Sequence, residues 1–302
     1  NKQTVVSDDI KGFISGGEFD NKPADDYIAD GYFYSNGKIA KVQGTVNVNG
    51  EEIKIANISD VADIESKNIT VDVEKDSSLT LDNGFFNEEN NNGNSKDISL
   101  IGKLDSNDNP VSTVDVITNA VTAEGGELNY QRGSSFSFEN LTIQAGEGDF
   151  DGIVCDELVY KNCTIKGKLT LYGKATFINC TFENEMGDQY SIWTWGGTDV
   201  TFENCTFNTN GKAILLYGRA TKGNPTNLTV NNCVFDDRNN GAAGKAAIEV
   251  GNDYNATYTL TVTNATVNGF ADGKNTGSKL WANKNSMDAD HLTVTIDGEK
   301  IQ

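Results

Sequence analysis

One template recurs six times in this chain and constrains its fold more than any other feature. It reads apolar-x-Asn-Cys-x-apolar, with Leu or Ala in place of Cys in the first and last copies. The copies begin at Phe138, Tyr160, Phe177, Phe202, Val230 and Val262, and their asparagines are Asn140, Asn162, Asn179, Asn204, Asn232 and Asn264. The intervals between those asparagines are 22, 17, 25, 28 and 32 residues. In an uninterrupted strand the inward side chains fall at i, i+2 and i+4. Here the apolar positions fall at i, i+3 and i+5, so the alternation slips by one residue once per repeat, beside Asn. Asn tolerates the left-handed backbone region better than most residues, so the slip is a corner between two strands. Stacked on successive coils about 4.8 Å apart, the corner asparagines can hydrogen-bond as a ladder.

A second apolar strand precedes each corner. Ile153, Leu169, Ile192, Ile214 and Ile248 align as one inward column, and Cys155, Leu171, Thr194, Leu216 and Val250 as the next. The alternate positions vary and are expected to face out, and Gly173, Gly196 and Gly218 mark a second corner. Together these patterns predict an all-β chain, a single-stranded right-handed parallel β-helix in which length counts turns rather than domains. Looser matches at Ile14-x-Gly16-Gly17, Ser66-x-Asn68-Ile69, Leu81-x-Asn83-Gly84 and Ile117-x-Asn119-Ala120 extend the coil toward the N-terminus. The expected division is an N-terminal rung and cap over 1–44, irregular first coils over 45–135, and regular coils over 136–302. The only helical expectation is one short turn within Ser59–Ser66.

Charge excludes one class of partner. The chain carries a net charge of −20 with only Arg132, Arg219 and Arg238 as arginines, whereas phosphate backbones require clustered basic residues. No apolar run reaches the 18 residues of a membrane span. The five cysteines fall on inward columns, where parallel in-register strands point their Cβ atoms the same way, so buried free thiols are expected rather than disulfides or zinc. The sequons at Asn140, Asn162, Asn179, Asn204 and Asn264 coincide with corners, which accounts for them structurally. The single histidine, His291, reads as a surface or edge residue.

Phe-x-Asn-Cys-Thr-Phe coils with Trp193-x-Trp195-Gly-Gly resemble pectate-lyase-like (pectin-lyase-like) right-handed β-helix proteins over about 136–267. Ile14-Ser-Gly-Gly-Glu-Phe19, followed by Asp26-Tyr-Ile-Ala-Asp-Gly-Tyr32, resembles a module of secreted or surface-anchored proteins of gut Gram-positive bacteria. There the motif closes a β-helical unit; at the front of this chain it either caps the helix or ends a preceding unit. The resemblance implies an extracellular, secreted or cell-wall-attached location and no particular activity.

The functional candidates follow from the columns. Tyr172, Trp195 and Tyr217 are expected side by side on the outer face of three consecutive coils, with Trp193 one column over and Trp281 extending it. Such a strip can stack on sugar faces or anchor a protein. The expected function is a non-catalytic, adhesin-like surface protein contacting a glycan or a host or cell-surface protein. The alternatives are a polysaccharide lyase or glycoside hydrolase, and a passive stalk. No catalytic set is assigned: the sequence has no Gly-His-Gly segment, and Asp236-Asp237 lies just after a corner. An enzyme would draw on Arg219 with Asp156 and Glu249. No cofactor is assigned; a Ca²⁺ site, if present, would use Asp149, Asp151 and Asp156 with Glu157, although these lack the spacing of a dedicated calcium loop.

Overall fold

Each asparagine of the template takes a left-handed backbone, with φ of +57° at Asn140, +51° at Asn162, +54° at Asn179, +53° at Asn204 and Asn232, and +52° at Asn264. Each turns the chain from one parallel sheet into the next. The computed structural model describes residues 11–62, 64–81, 96–116, 131–145, 152–218, 225–251 and 256–302. Their strands form three faces of one coil. A long sheet runs parallel from Asn68–Val73 through Tyr160, Phe177 and Phe202 to Leu292–Ile296, and the strands after the Asn corners stack from Ser78–Leu81 to Thr266–Asn268. The third face is short: the first residues of Leu169–Ile178, then Ile192–Thr194, Ile214–Leu216, Ile248–Val250 and Trp281–Asn283. No α-helix occurs among the described residues, and the expected helical turn is a 3-10 turn at Ile58–Val61, closed by reciprocal bonds between Asn57 and Asp60.

The slip in the alternation does what its spacing requires. Tyr160, Cys163 and Ile165 are all buried, and so are Phe202, Cys205 and Phe207. Like residues stack on like along the axis: Phe138, Tyr160, Phe177 and Phe202 lie with ring centroids 4.6, 4.6 and 4.8 Å apart. Phe182, Phe207 and Phe235 follow at 4.3 and 4.8 Å in the next sheet. Outside the core, Asn162 donates to Asn140 and Asn179 to Asn162, both at 3.3 Å, and Asn264 donates to Asn232 at 2.9 Å. All five cysteines are buried free thiols, and the Sγ atoms of Cys163, Cys180 and Cys205 each donate to the carbonyl two residues earlier and to one on the preceding coils.

The open ends of the solenoid are closed by antiparallel pairing. Gly44–Val48 pairs antiparallel with both Glu51–Ile55 and Asn68–Val73, and Glu299–Lys300 folds back on the last long-sheet strand. This blunts edges that would otherwise template pairing with another chain. Ahead of it, Tyr32–Ser35 and Lys38–Lys41 form a separate antiparallel hairpin.

Several expectations change. Asn68 is no corner: it opens the strand Asn68–Val73, where Ile69, Val71 and Val73 are buried in plain alternation. The Leu81-x-Asn83 and Ile117-x-Asn119 matches run outside the described residues. Gly173 and Gly196 do turn, with φ of +91° and +88°, but Gly218 does not adopt the left-handed region. Gly218 is required by space instead, since a Cβ there would meet Ala256 and Thr226 at 2.9 Å and the Tyr258 hydroxyl at 3.0 Å. Asp237 of the Asp-Asp pair is buried and accepts the amides of Asn239 and Gly241 at 2.8 and 2.7 Å, so it shapes a turn.

Candidate functional site

The outward face of the short third sheet collects the aromatic candidates. Register places Thr170, Trp193, Leu215, Glu249 and Ala282 in one outward column. The next column holds Tyr172, Trp195 and Tyr217. Thr194, between the two tryptophans, points inward and is satisfied there: its Oγ1 donates to the Tyr217 carbonyl and accepts the Tyr217 amide, at 2.9 and 2.8 Å. That clamp fixes Tyr217 beside Trp195. Their rings stack 5.3 Å apart and 15° from parallel, and Trp193 meets both nearly edge-on at 6.1 and 6.0 Å. All three rings are half-buried, which leaves a small aromatic surface at the water boundary.

The strip is shorter than the sequence implies, because Tyr172 is only 4% exposed. The segment entering the previous coil lies against its ring: a Cβ on Gly152 would approach Tyr172 to 3.0 Å and the Thr170 carbonyl to 2.2 Å. The alignment that brought the first coil into line is also off by two residues. Val154 pairs with Tyr172, and a register shift follows before Glu157. Trp281 does not extend the Trp193 column either. It pairs with Ile248 and is buried as the end of the inward isoleucine column.

Beyond Leu215 the same face turns ionic. Glu249, whose side chain is 3% exposed, sits 3.3 Å from Lys245 and 3.7 Å from Lys284. Tyr190 donates to its Oε2 at 2.9 Å, while Lys212 lies 5.6 Å over the Tyr190 ring. Lys168, fully buried, lies 5.3 Å over Trp193 and bonds Gln189. Burial, then the adjacent carboxylate, pushes the Tyr190 hydroxyl far above the tyrosine range. Burial holds the Lys284 ammonium below the usual lysine range, despite the opposing pull of Glu249. Tyr190, Lys245 and Lys284 were not singled out in the sequence. The only signal for them was a glutamate in a column whose other members are uncharged.

Among the described residues four buried polar side-chain atoms lack a partner: Tyr160 Oη, Ser191 Oγ, Trp193 Nε1 and Thr198 Oγ1. Three of these lie within the one coil that carries Trp193. Each such atom costs about 1–3 kcal/mol of lost hydration.

The sequence-based catalytic set does not assemble. Arg219 lies outside the described residues, and the coils of Leu169, Ile192 and Ile214 separate Asp156 from Glu249. Asp149 and Asp151 also lie outside them, and Glu157 pairs with Lys174 at 2.6 Å. No group of three or more His, Cys, Asp or Glu arranged to hold a metal ion occurs among the described residues. Nor is any helix among them long and apolar enough to cross a membrane.

Residues 167–294, which hold Trp193, Trp195 and Tyr217 and Glu249 with its partners, match the family described as a right-handed β-helix region. This chain carries a right-handed β-helix. No characterised protein and no solved structure matches it significantly. The fold is that of the pectate-lyase-like β-helices, and since one β-helix scaffold hosts unrelated activities, the side chains on it must carry the functional argument.

Proposed function

We propose that this β-helix is a non-catalytic, adhesin-like extracellular protein that contacts glycans through Trp193, Trp195 and Tyr217. The observation that supports this reading is the Trp195–Tyr217 stack, with Trp193 set edge-on against both rings at the water boundary. A flat pair of rings offers the apolar face on which a pyranose stacks, and the neighbouring amides, hydroxyls and lysines supply polar partners. The carboxylate in the same outward column as Trp193, Glu249, is buried and already engaged by Tyr190, Lys245 and Lys284, which suits positioning rather than proton transfer to a substrate.

The test is a glycan array read with the wild-type protein and with Trp195→Ala. Binding that falls at least about tenfold in the variant is expected, on the scale of one lost stacking contact. Binding to no glycan, or equal binding by both proteins, overturns the reading in favour of a stalk. One observation favours the lyase alternative: Lys284 is held below its ordinary range beside a buried carboxylate, as a general base would be. Release of unsaturated products from acidic polysaccharides, abolished in Lys284→Met, would establish that alternative.

A further inference from the structure

One connection of the chain reaches across the ionic end of the aromatic face, where Tyr190 bonds Glu249. Residues 185–190 leave the strand Thr181–Asn184, run beside residues 210–212 of the next coil, and lead into Ile192–Thr194 of the third sheet. Their base is fixed: the fully buried Asn184 donates to the Gln189 carbonyl at 3.0 Å and accepts the Met186 amide at 2.9 Å. Contacts to neighbouring coils hold the rest, beginning with Asn210 Nδ2, which donates to the Glu185 carbonyl at 2.5 Å. Lys212 donates to the Asp188 carbonyl at 2.6 Å, Lys168 bonds Gln189 Oε1 at 3.3 Å, and Tyr190 bonds Glu249 at 2.9 Å.

The last contact spans two coils. Trp193, Leu215 and Glu249 are consecutive members of one outward column, and Tyr190 belongs to the coil of Trp193. Its side chain must therefore cross the coil of Leu215 to reach Glu249. Leu215, the outward leucine between Trp193 and Glu249 in that column, is only 4% exposed. The same coil as Tyr190 carries two buried polar atoms with no partner, Trp193 Nε1 and Ser191 Oγ. A permanently closed surface would gain by replacing such groups with apolar ones. A surface that opens has a use for an indole N–H and a hydroxyl, because the acceptors and donors of a polyhydroxylated ligand can satisfy both.

We propose that residues 185–190 are a strap, latched by the Tyr190–Glu249 hydrogen bond, that covers an inner subsite formed by Trp193, Leu215 and Ser191. The inference deepens the glycan-binding reading and rests on it for the ligand's class. The opening itself is measurable without any ligand. When the strap lifts, the half-buried Trp195–Tyr217 stack continues into Trp193 and Leu215 of the same two coils, so the site widens along the strand direction, across the helix axis.

The test uses the full chain with Trp195→Phe and Trp281→Phe, which leaves Trp193 as the only tryptophan, with and without Tyr190→Phe. Acrylamide quenching reads access to Trp193, and hydrogen exchange reads the amides of 185–191 against those of Asp199–Glu203. Tyr190→Phe is expected to raise exchange in 185–191 about fivefold or more, the effect of losing one bond to a charged acceptor, with quenching rising in parallel. Exchange in Asp199–Glu203 is expected to stay unchanged, which separates strap opening from general destabilisation. Unchanged exchange and quenching in Tyr190→Phe, or equal acceleration in both segments, overturns the strap. A failed glycan array alongside a positive opening result would overturn the ligand class and leave the strap standing.

Discussion

The ring of Tyr160 lies 4.6 Å from that of Phe177 and 3° from parallel to it, in a run of four stacked rings whose other members are Phe138, Phe177 and Phe202. Its hydroxyl is fully buried without a hydrogen-bond partner. Burial, with the thiols of Cys155, Cys163 and Cys180 nearby, drives its ionisation well above the tyrosine range. The ring contributes packing that Phe would keep, whereas the hydroxyl contributes only a desolvation cost. Tyr160→Phe is therefore expected to raise stability by about 1 kcal/mol, read as a higher urea midpoint at unchanged slope. A lower midpoint would show that the hydroxyl has a partner after all.

At the corners the usual ranking of Ala over Gly should reverse. Asn179 holds φ of +54° and donates to Asn162, so Asn179→Gly removes the ladder bond but keeps the backbone free. Asn179→Ala removes the bond and also forces a Cβ into the left-handed region, at about 1–2 kcal/mol. Chemical denaturation should rank wild type above Gly above Ala. Equal losses in the two variants would mean that the ladder, and not the turn, sets the preference for Asn.

Those corners were legible because a phase slip in a period-two pattern has few structural explanations, and Asn is one of the few residues that relieves it. The inward cysteines and the free-thiol state followed from the same phase. The outward face was harder to read. Whether Tyr172 is exposed depends on Gly152, in a segment with no periodicity of its own, and Trp281 changed column because the long connection before it hides the register. Glu249 could be named from its column, but the tyrosine that binds it lies 59 residues earlier in a loop. Strand phase fixes where a side chain points, while loops decide what covers it.

Glu249 should be needed for folding as much as for any ligand. Replacing it with Ala leaves Lys245 and the half-buried Lys284 without their shared counter-charge and removes the acceptor of Tyr190. A loss of about 3 kcal/mol is expected, the scale on which breaking a buried ion pair destabilises. Glu249→Gln keeps an acceptor for Tyr190 and should lose less. Thermal or urea unfolding of the pair checks this order, and Ala equal to wild type would show that the lysines find other partners.

The cysteine column makes a prediction about alkaline pH. Burial pushes the Cys155 thiol to about 12, and the neighbouring thiol of the column, Cys163 for Cys180 and Cys180 for Cys205, together with burial brings those two to about 12 as well. In the unfolded chain the same groups ionise near 9.0. Between these values the folded state holds more protons than the unfolded one, so stability falls as pH rises. The thiols' contribution is complete below about pH 9 and is lost progressively toward 12, by at most about 1.4 kcal/mol per thiol for each pH unit. Replacing Cys155, Cys180 and Cys205 with Ala removes this slope along with some packing. The variant is thus expected to be less stable than wild type at pH 8 but to lose stability more slowly from pH 9 to 11, as followed by urea unfolding under reducing conditions. Parallel curves for the two proteins across that window would mean that the thiols ionise in the folded chain as readily as in the unfolded one.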